Sequence, residues 1–426
     1  MARLIINGGK KLKGEWPLSG NKNEALALTA ASLLFKDGLK LTNVPEIKDV
    51  KVMMQIAEYL GVEIKNPAKG TYFLKGLSKT NDSQLPAELS SKIRGSLLFL
   101  GPLLAIGGKA VIPRSGGDKI GLRKIDVHLD VFRAFGAKTN QNEILLDRNR
   151  YLNVKEVKLW LSEPSVTATE NAIMLAALRN GKTIVKNAAC EPHVVNLGLA
   201  LEQGGVKIKG LGTNLIEIRG RRNLKSTACK LKEDYMELAS VLTLSAIFEG
   251  GVKVKTKNIK EYAKIFEVFK KFGKKVVKEN GALKVMDNDS GDSADLQKEI
   301  QEISDGPWPN FPSDSMSPMI VLATQCKGDY LFHEKMFESR LYFIDQLKVM
   351  GAKVVLCDPH RVLVSGPSQL HGSHMTSPDI RAGMALVIAA LCAKGTSIID
   401  NAEQIDRGYE NLVEKLKKIG ADIKHE

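Results

Sequence analysis

Two hydrophobic periodicities take turns along this chain. Segments with apolar residues at helical spacing alternate with short segments in which every second residue is apolar. Six times an amphipathic helix pattern runs into a glycine and then into a strand pattern. The junctions are Leu60-Gly61-Val62, Phe135-Gly136-Ala137, Gly204-Gly205-Val206, Phe272-Gly273-Lys274, Met350-Gly351-Ala352 and Ile419-Gly420-Ala421, with successive glycines 68 to 78 residues apart. Glycine at that position predicts a left-handed residue leaving the helix. A second helix pattern lies upstream in each unit, as in ENAIMLAALRNGKTIV, MSPMIVLATQCKGDYLF and RAGMALVIAALCAKGTSII. These patterns are apolar nearly all round, so the helices should be buried on every side. The chain therefore reads as six repeats of roughly 70 residues, and the alternation of helix and strand makes the class α/β. The polar stretch from Asp287 to Asp305 reads as an exposed loop.

Composition narrows the field. A chain of 426 residues, 43% apolar and 26% charged, is long enough for two or three domains with full cores. The longest stretch free of charge, Gly95 to Gly108, contains Pro102 and is shorter than the roughly 20 apolar residues that cross a bilayer. The N-terminal MARLIINGGKKLKGEW lacks a signal-peptide core. The expectation is a cytoplasmic protein with no membrane insertion. Five scattered cysteines with no C-x-x-C indicate neither a disulfide frame nor a zinc site. The net charge of +14 suits either nucleic acid or small anionic substrates in a basic cleft. Aromatic residues are only 6% and no basic run is interleaved with them, so no nucleic-acid partner is expected.

Several familiar motifs fail. Gly181-Lys182-Thr183 lacks a phosphate loop, since Ala176 stands where its first glycine belongs. Gly210-Leu211-Gly212 has Leu215 in place of the third glycine of a dinucleotide fingerprint. His371 and His374 have no third ligand nearby. Other clusters survive. Asn21 is a good helix cap, and Lys22 beside it would stand at the positive end of a helix, a ready anion site. Ser115 to Gly121 form a glycine-rich, mobile-looking loop leading to Arg123 and Asp126-Val127-His128. Asp314, Asp379-Ile380-Arg381 and Asp406-Arg407 each stand where a strand hands over to a helix. Each has a plain alternative, as a cap or a surface turn. Together they suggest one cleft lined by several repeats.

The residues that carry these clusters resemble the enolpyruvyl transferases over the whole chain. The likeness rests on LSGNKNEAL (18–26), NVPEIKDV (43–50), KIRGSLLFLGPLL (92–104), GGDKIGLRKIDVHL (116–129), SVTAT (165–169), NAACEPHVV (187–195), FPSDSMS (311–317), FESR (337–340), DIRAG (379–383) and IDRGYE (405–410). It implies two inverse α/β barrel domains of three repeats each, 21–230 and 1–20 plus 231–426, with the active site between them. It implies transfer of the enolpyruvyl group of phosphoenolpyruvate to the 3′-hydroxyl of UDP-N-acetylglucosamine, the first committed step of peptidoglycan precursor synthesis. No cofactor and no metal is implied, because lysine and arginine can neutralise the phosphate. The spacing fits the branch using that acceptor better than the shikimate-pathway branch. An enzyme with another acceptor, such as shikimate 3-phosphate, and a non-catalytic binding protein of the same fold remain as alternatives.

By the same resemblance Lys22, Arg123 and Arg407 gather round phosphoenolpyruvate, with Asn23 beside them. Asp314 matches the carboxylate on the sugar hydroxyl, and Asp118 the general acid of the loop. Arg94, Arg123, Lys124, Ile125, Asp126, Val127, Ser165, Val166 and Met336 match positions around the nucleotide sugar. Asp49, Arg340, Asp379 and Arg381 match charged groups of the cleft. Five departures stand out. Asp118 replaces the commoner cysteine, which the antibiotic fosfomycin alkylates in relatives. Glu163 replaces a basic residue, Thr167 a glycine and Tyr235 an arginine; Ser339 also stands in place of an asparagine.

Overall fold

The computed structural model describes residues 2–77, 83–113, 115–118, 120–140, 142–288 and 299–426. The chain falls into two compact units. One comprises Met1–Ser19, Asp118–Leu122 and Glu233–Glu426, the other Gly20–Gly117 and Arg123–Lys232. Asp118–Leu122 thus groups with the first unit although its chain neighbours belong to the second.

Among the described residues each unit holds three small sheets, and five of these six share one topology. In the sheet containing Asp305's neighbours, strand Gln301–Ser304 runs parallel to Gly328–His333. The latter pairs antiparallel with Arg361–Gly366, which pairs in turn with Lys353–Asp358. The same order recurs around Thr396–Asp400, except that the antiparallel place is filled from the N-terminus. There Arg3–Asn7 lies between Thr396–Asp400 and Asp422–His425. The sheet of Lys109–Val111, Glu143–Leu145 and Lys138–Thr139 has three strands among the described residues. Strand Gln301–Ser304 corrects the reading of 287–305 as exposed loop. Ile303 is buried in the core and Asp305 is buried beyond it, while Asp287 closes the strand Ala282–Asp287. A four-residue edge strand with one inward apolar residue leaves too little pattern to read. Residues 289–298 of that stretch lie outside the described residues.

The helices patterned as apolar all round form the cores. Every residue of Tyr235–Ile247 but the last is buried, as is every residue of Ile380–Cys392 but the last. These two and Met316–Gln325 pack against one another in all three pairs. In the other unit Leu100–Gly107 packs on Val166–Ala177, and Lys22–Ala31 packs on the turn Arg94–Phe99. Alanines such as Ala239, Ala323 and Ala385, all without exposure, let the backbones approach.

The outer helices are amphipathic and end as their glycines require. Gly61, Gly136, Gly205, Gly273, Gly351 and Gly420 all have φ between 66° and 100°, a region costing other residues roughly 1–2 kcal/mol. Five of these ends close with the paired bonds of a Schellman motif. In the first, Val62 N–H donates to Ala57 O at 2.9 Å and Gly61 N–H to Glu58 O at 2.9 Å.

The N-terminal segment is fastened by one buried carboxylate. Glu237 accepts from Trp16 Nε1 at 2.9 Å, from Ser19 N–H at 2.7 Å and from Lys415 Nζ at 2.7 Å. Lys415 also donates to Ser19 Oγ at 2.7 Å.

Candidate active site

In the first unit, a 3-10 turn Ser313–Ser315 leads into Met316–Gln325. Asp314 lies in that turn, but its side chain does not cap the helix. Arg340 Nη2 donates to its Oδ1 at 2.8 Å and Arg381 Nε to its Oδ2 at 3.0 Å. Both arginines are almost wholly buried, whereas the Asp314 side chain keeps 28% exposure. The carboxylate is therefore held by two guanidiniums while part of its surface remains exposed.

The supports of this clamp come from helix starts. Asp379 is the N-cap of Ile380–Cys392, its Oδ1 accepting from Arg381 N–H at 2.7 Å and Ala382 N–H at 3.0 Å. Burial pushes the Asp379 carboxyl up, against the pull of Arg340. The same residue thus both caps the helix that carries Arg381 and faces Arg340. The Arg381 guanidinium lies over the Tyr409 ring at 5.4 Å, and the Tyr409 hydroxyl meets Ser240 Oγ at 2.9 Å. Burial alone would lower the Arg340 pKa, but Asp314, Glu334, Asp379 and Asp118 raise it. Nearby, Arg407 Nη1 donates to Asp118 Oδ1 and to Gln404 Oε1, both at 2.8 Å. Met336 is exposed between Gly328–His333 and the turn Arg340–Phe343.

In the second unit, Asn21 caps Lys22–Ala31, its Oδ1 accepting from Glu24 N–H at 2.9 Å. Lys22 Nζ reaches Asp49 Oδ2 at 2.7 Å with both side chains nearly buried. Asp49 belongs to the first turn of Lys48–Tyr59, where a negative charge also suits the helix dipole. Asn23 follows Lys22 on the helix and is half-buried.

A second basic group lies in the same unit. Arg94 Nη2 donates to Lys124 O at 2.8 Å. Burial brings the Arg94 pKa down to about 10, the Arg123 charge adds to this, and Glu163 opposes it. Two guanidiniums close enough to repel form a natural anion site. Gly117 makes their approach possible. Its φ is +113°, and a Cβ there would lie 2.8 Å from Arg123 Nη2 and 3.0 Å from Arg94 Cβ. Asp126 stands in the first turn of Asp126–Ala134, with Ile125 at its cap position. Val127 is buried in the core, so only its backbone is available. Ser165 holds the cap position of Val166–Ala177, and its carbonyl accepts from Thr169 Oγ1 at 2.8 Å. Of the glycine-rich loop, Arg114 and Lys119 lie outside the described residues.

Three contacts have no counterpart in the sequence reading. Thr167 Oγ1 and His128 Nε2 are 2.8 Å apart, so the residue in place of a glycine has a partner of its own. Tyr409 lies beneath Arg381. Glu334 is wholly buried and accepts from Ser313 Oγ at 2.7 and 2.9 Å. A glutamate inside the run LFHEKMF was the available signal, since an isolated acid in a buried stretch needs partners. Among the described residues no group of three or more His, Cys, Asp or Glu could hold a metal ion. No helix among them is long and apolar enough to cross a membrane.

The chain is 46% identical over 426 residues to the UDP-N-acetylglucosamine 1-carboxyvinyltransferase of Treponema denticola, covering 99% of each chain. It is 41% identical over 434 residues to the protein of that name from Borreliella burgdorferi, covering 100% of this chain and 99% of the other. The solved enolpyruvyl transferase NikO from Streptomyces tendae superposes with a TM-score of 0.86 at 23% identity, covering 100% of this chain and 98% of that one. At that identity the likeness speaks for the mixed α/β fold alone. The family model for EPSP synthase (3-phosphoshikimate 1-carboxyvinyltransferase) matches residues 6–416, and the chain belongs to that family of enolpyruvyl transferases.

Proposed function

We propose that this protein transfers the enolpyruvyl group of phosphoenolpyruvate to the 3′-hydroxyl of UDP-N-acetylglucosamine and releases phosphate. The reaction begins peptidoglycan precursor synthesis and belongs in the cytoplasm. The observation that carries the reading is full-length identity of 41–46% to proteins named for this acceptor. The architecture that goes with it is a pair of inverse α/β barrels of three repeats each, 21–230 and 1–20 with 231–426.

Chemistry assigns the roles. Asp314, held by two arginines and partly exposed, takes the proton of the sugar hydroxyl as general base. Asp118 delivers a proton to the enol carbon. Lys22, Arg123 and Arg407 hold phosphoenolpyruvate, with Asn23 contributing a neutral donor. Their charge offsets the phosphate as it leaves. Arg94, the backbone from Lys124 to Val127, Ser165, Val166 and Met336 receive the nucleotide sugar. Asp379 positions Arg381 and balances Arg340.

The test is phosphate release from phosphoenolpyruvate with UDP-N-acetylglucosamine, with shikimate 3-phosphate and with neither. The family model is described by the shikimate acceptor, which makes that arm informative. Release that does not depend on UDP-N-acetylglucosamine overturns the reading.

A further inference from the structure

We infer that Glu334 and Asp305 share one proton, and that this pair is a positioning device for Asp314. The inference rests on the proposed role of Asp314 as base. Glu334 reaches two neighbours of that residue. It accepts from the hydroxyl of Ser313, the chain neighbour of Asp314, and lies 3.8 Å from Nε of Arg340, whose Nη2 holds Asp314. Its Oε1 also accepts from Phe337 N–H at 3.2 Å, in the segment that leads to Arg340.

Asp305 supplies the second observation. It is 3% exposed and its Oδ1 accepts from Lys335 N–H at 2.5 Å. Its own N–H donates to His333 O at 3.3 Å, so Asp305 is bonded to both chain neighbours of Glu334, and its Oδ2 is buried with no donor. Two carboxylates cannot donate to each other, so their approach here requires a proton between them. Burial pushes the Glu334 carboxyl up to about 8, Asp305 adds to the rise, and Arg340 and Ser313 oppose it. His333 and Lys335 flank Glu334 in the chain, and His360 Nδ1 lies 2.7 Å from the Glu334 backbone carbonyl. With Glu334 neutral, the Arg340 charge is directed at Asp314. With Glu334 ionised, it competes with Asp314 for the Arg340 guanidinium and Asp314 loses its fixed orientation.

The experiment compares wild type, Glu334→Gln and Asp305→Asn in kcat and in thermal unfolding over roughly pH 5 to pH 9. Gln mimics the protonated acid. Wild type should show an alkaline loss of kcat, about tenfold per pH unit above the Glu334 pKa, that Glu334→Gln lacks. Asn at 305 offers a donor to ionised Glu334, so in that variant the same loss should move to lower pH. Unfolding provides a readout that needs no activity. A neutral buried glutamate binds its proton more tightly folded than unfolded, so wild-type stability should fall relative to Glu334→Gln from pH 4.5 up to about 8 and run parallel above. Parallel stability curves throughout, or one pH profile common to all three proteins, overturns the shared proton. If the acceptor dependence fails while the stability curves diverge as described, the proposed function falls and the pair stands.

Discussion

Arg407 Nη1 donates to Asp118 Oδ1 at 2.8 Å, joining the loop acid to the 3-10 turn Ala402–Arg407. Both residues are assigned to phosphoenolpyruvate, so the contact is one that substrate must exchange. A phosphate dianion offers Arg407 more charge and two oxygens for its planar fork. In the proposed mechanism, release of Asp118 toward the enol carbon accompanies binding of the phosphate.

Arg407→Lys keeps the charge and removes the fork. Loss of one charge-assisted bond is worth about 1.5–3 kcal/mol. We expect kcat/KM for phosphoenolpyruvate to fall roughly 10- to 100-fold, with the KM for UDP-N-acetylglucosamine little changed. Steady-state kinetics with each substrate varied separately checks this. Equal losses for both substrates would remove Arg407 from the phosphate.

Asp314→Asn retains the shape of the residue and loses its basicity. General-base catalysis is worth on the order of 10²–10⁴-fold, so kcat should drop by that much while substrate binding persists. Calorimetric binding of the nucleotide sugar separates the two effects. Near-normal turnover would leave Asp314 as no more than the anchor of Arg340 and Arg381.

The repeat was readable because each unit repeats the same physics. A buried helix needs apolar residues on every face, and an outer helix must end on a residue tolerating positive φ. All six junction glycines have that conformation. Strand pairing was not readable to the same degree. Nothing in ARLIINGG says that Arg3 will face Asp400, since pairing across the chain depends on where the termini are brought. The same limit applies to the site. Asp314 and Arg381 stand at helix starts and were visible there, whereas Glu334 acts through Ser313 and Arg340 and has no motif of its own. Asp379 reads in sequence as a charge of the cleft or as a cap, and in the fold it is a cap.

The N-terminal fastening predicts a stability effect without a catalytic one. Glu237→Ala strips Lys415, Trp16 Nε1 and Ser19 N–H of their acceptor. Breaking a buried ion pair by removing one partner typically costs about 3–5 kcal/mol. Urea unfolding followed by tryptophan fluorescence should show a loss of that size. A loss below about 1 kcal/mol would mean that Lys415 finds solvent and the pair is not buried in effect.

His128 predicts a pH effect. Burial lowers its pKa from 6.5 to about 4, and the Arg94 charge adds to this. Folding thus keeps the imidazole neutral where the unfolded chain would protonate. The stability linked to this residue is complete above pH 6.5 and is lost as pH falls toward 4. Wild type should lose about 3 kcal/mol relative to His128→Gln across that window. Unfolding curves of the two proteins that stay parallel from neutral to acid pH would show the imidazole to be solvated.

Asp118 sets the response to fosfomycin. In relatives with cysteine the thiolate opens the epoxide of the drug and forms a stable thioether. A thiolate is soft and strongly nucleophilic, whereas a carboxylate attacks an epoxide poorly and is engaged here by Arg407. The unmutated enzyme should stay active in fosfomycin. Asp118→Cys should remain active, because a thiol can also deliver a proton, and should lose activity progressively with time in the drug. The loss should carry a mass increase on the peptide containing residue 118. Phosphoenolpyruvate should slow it, since Arg407 would then hold the substrate phosphate in place of the drug. Time-dependent modification of the unmutated enzyme at Asp118, or an active cysteine variant that the drug leaves untouched, would place the proton donor at another residue.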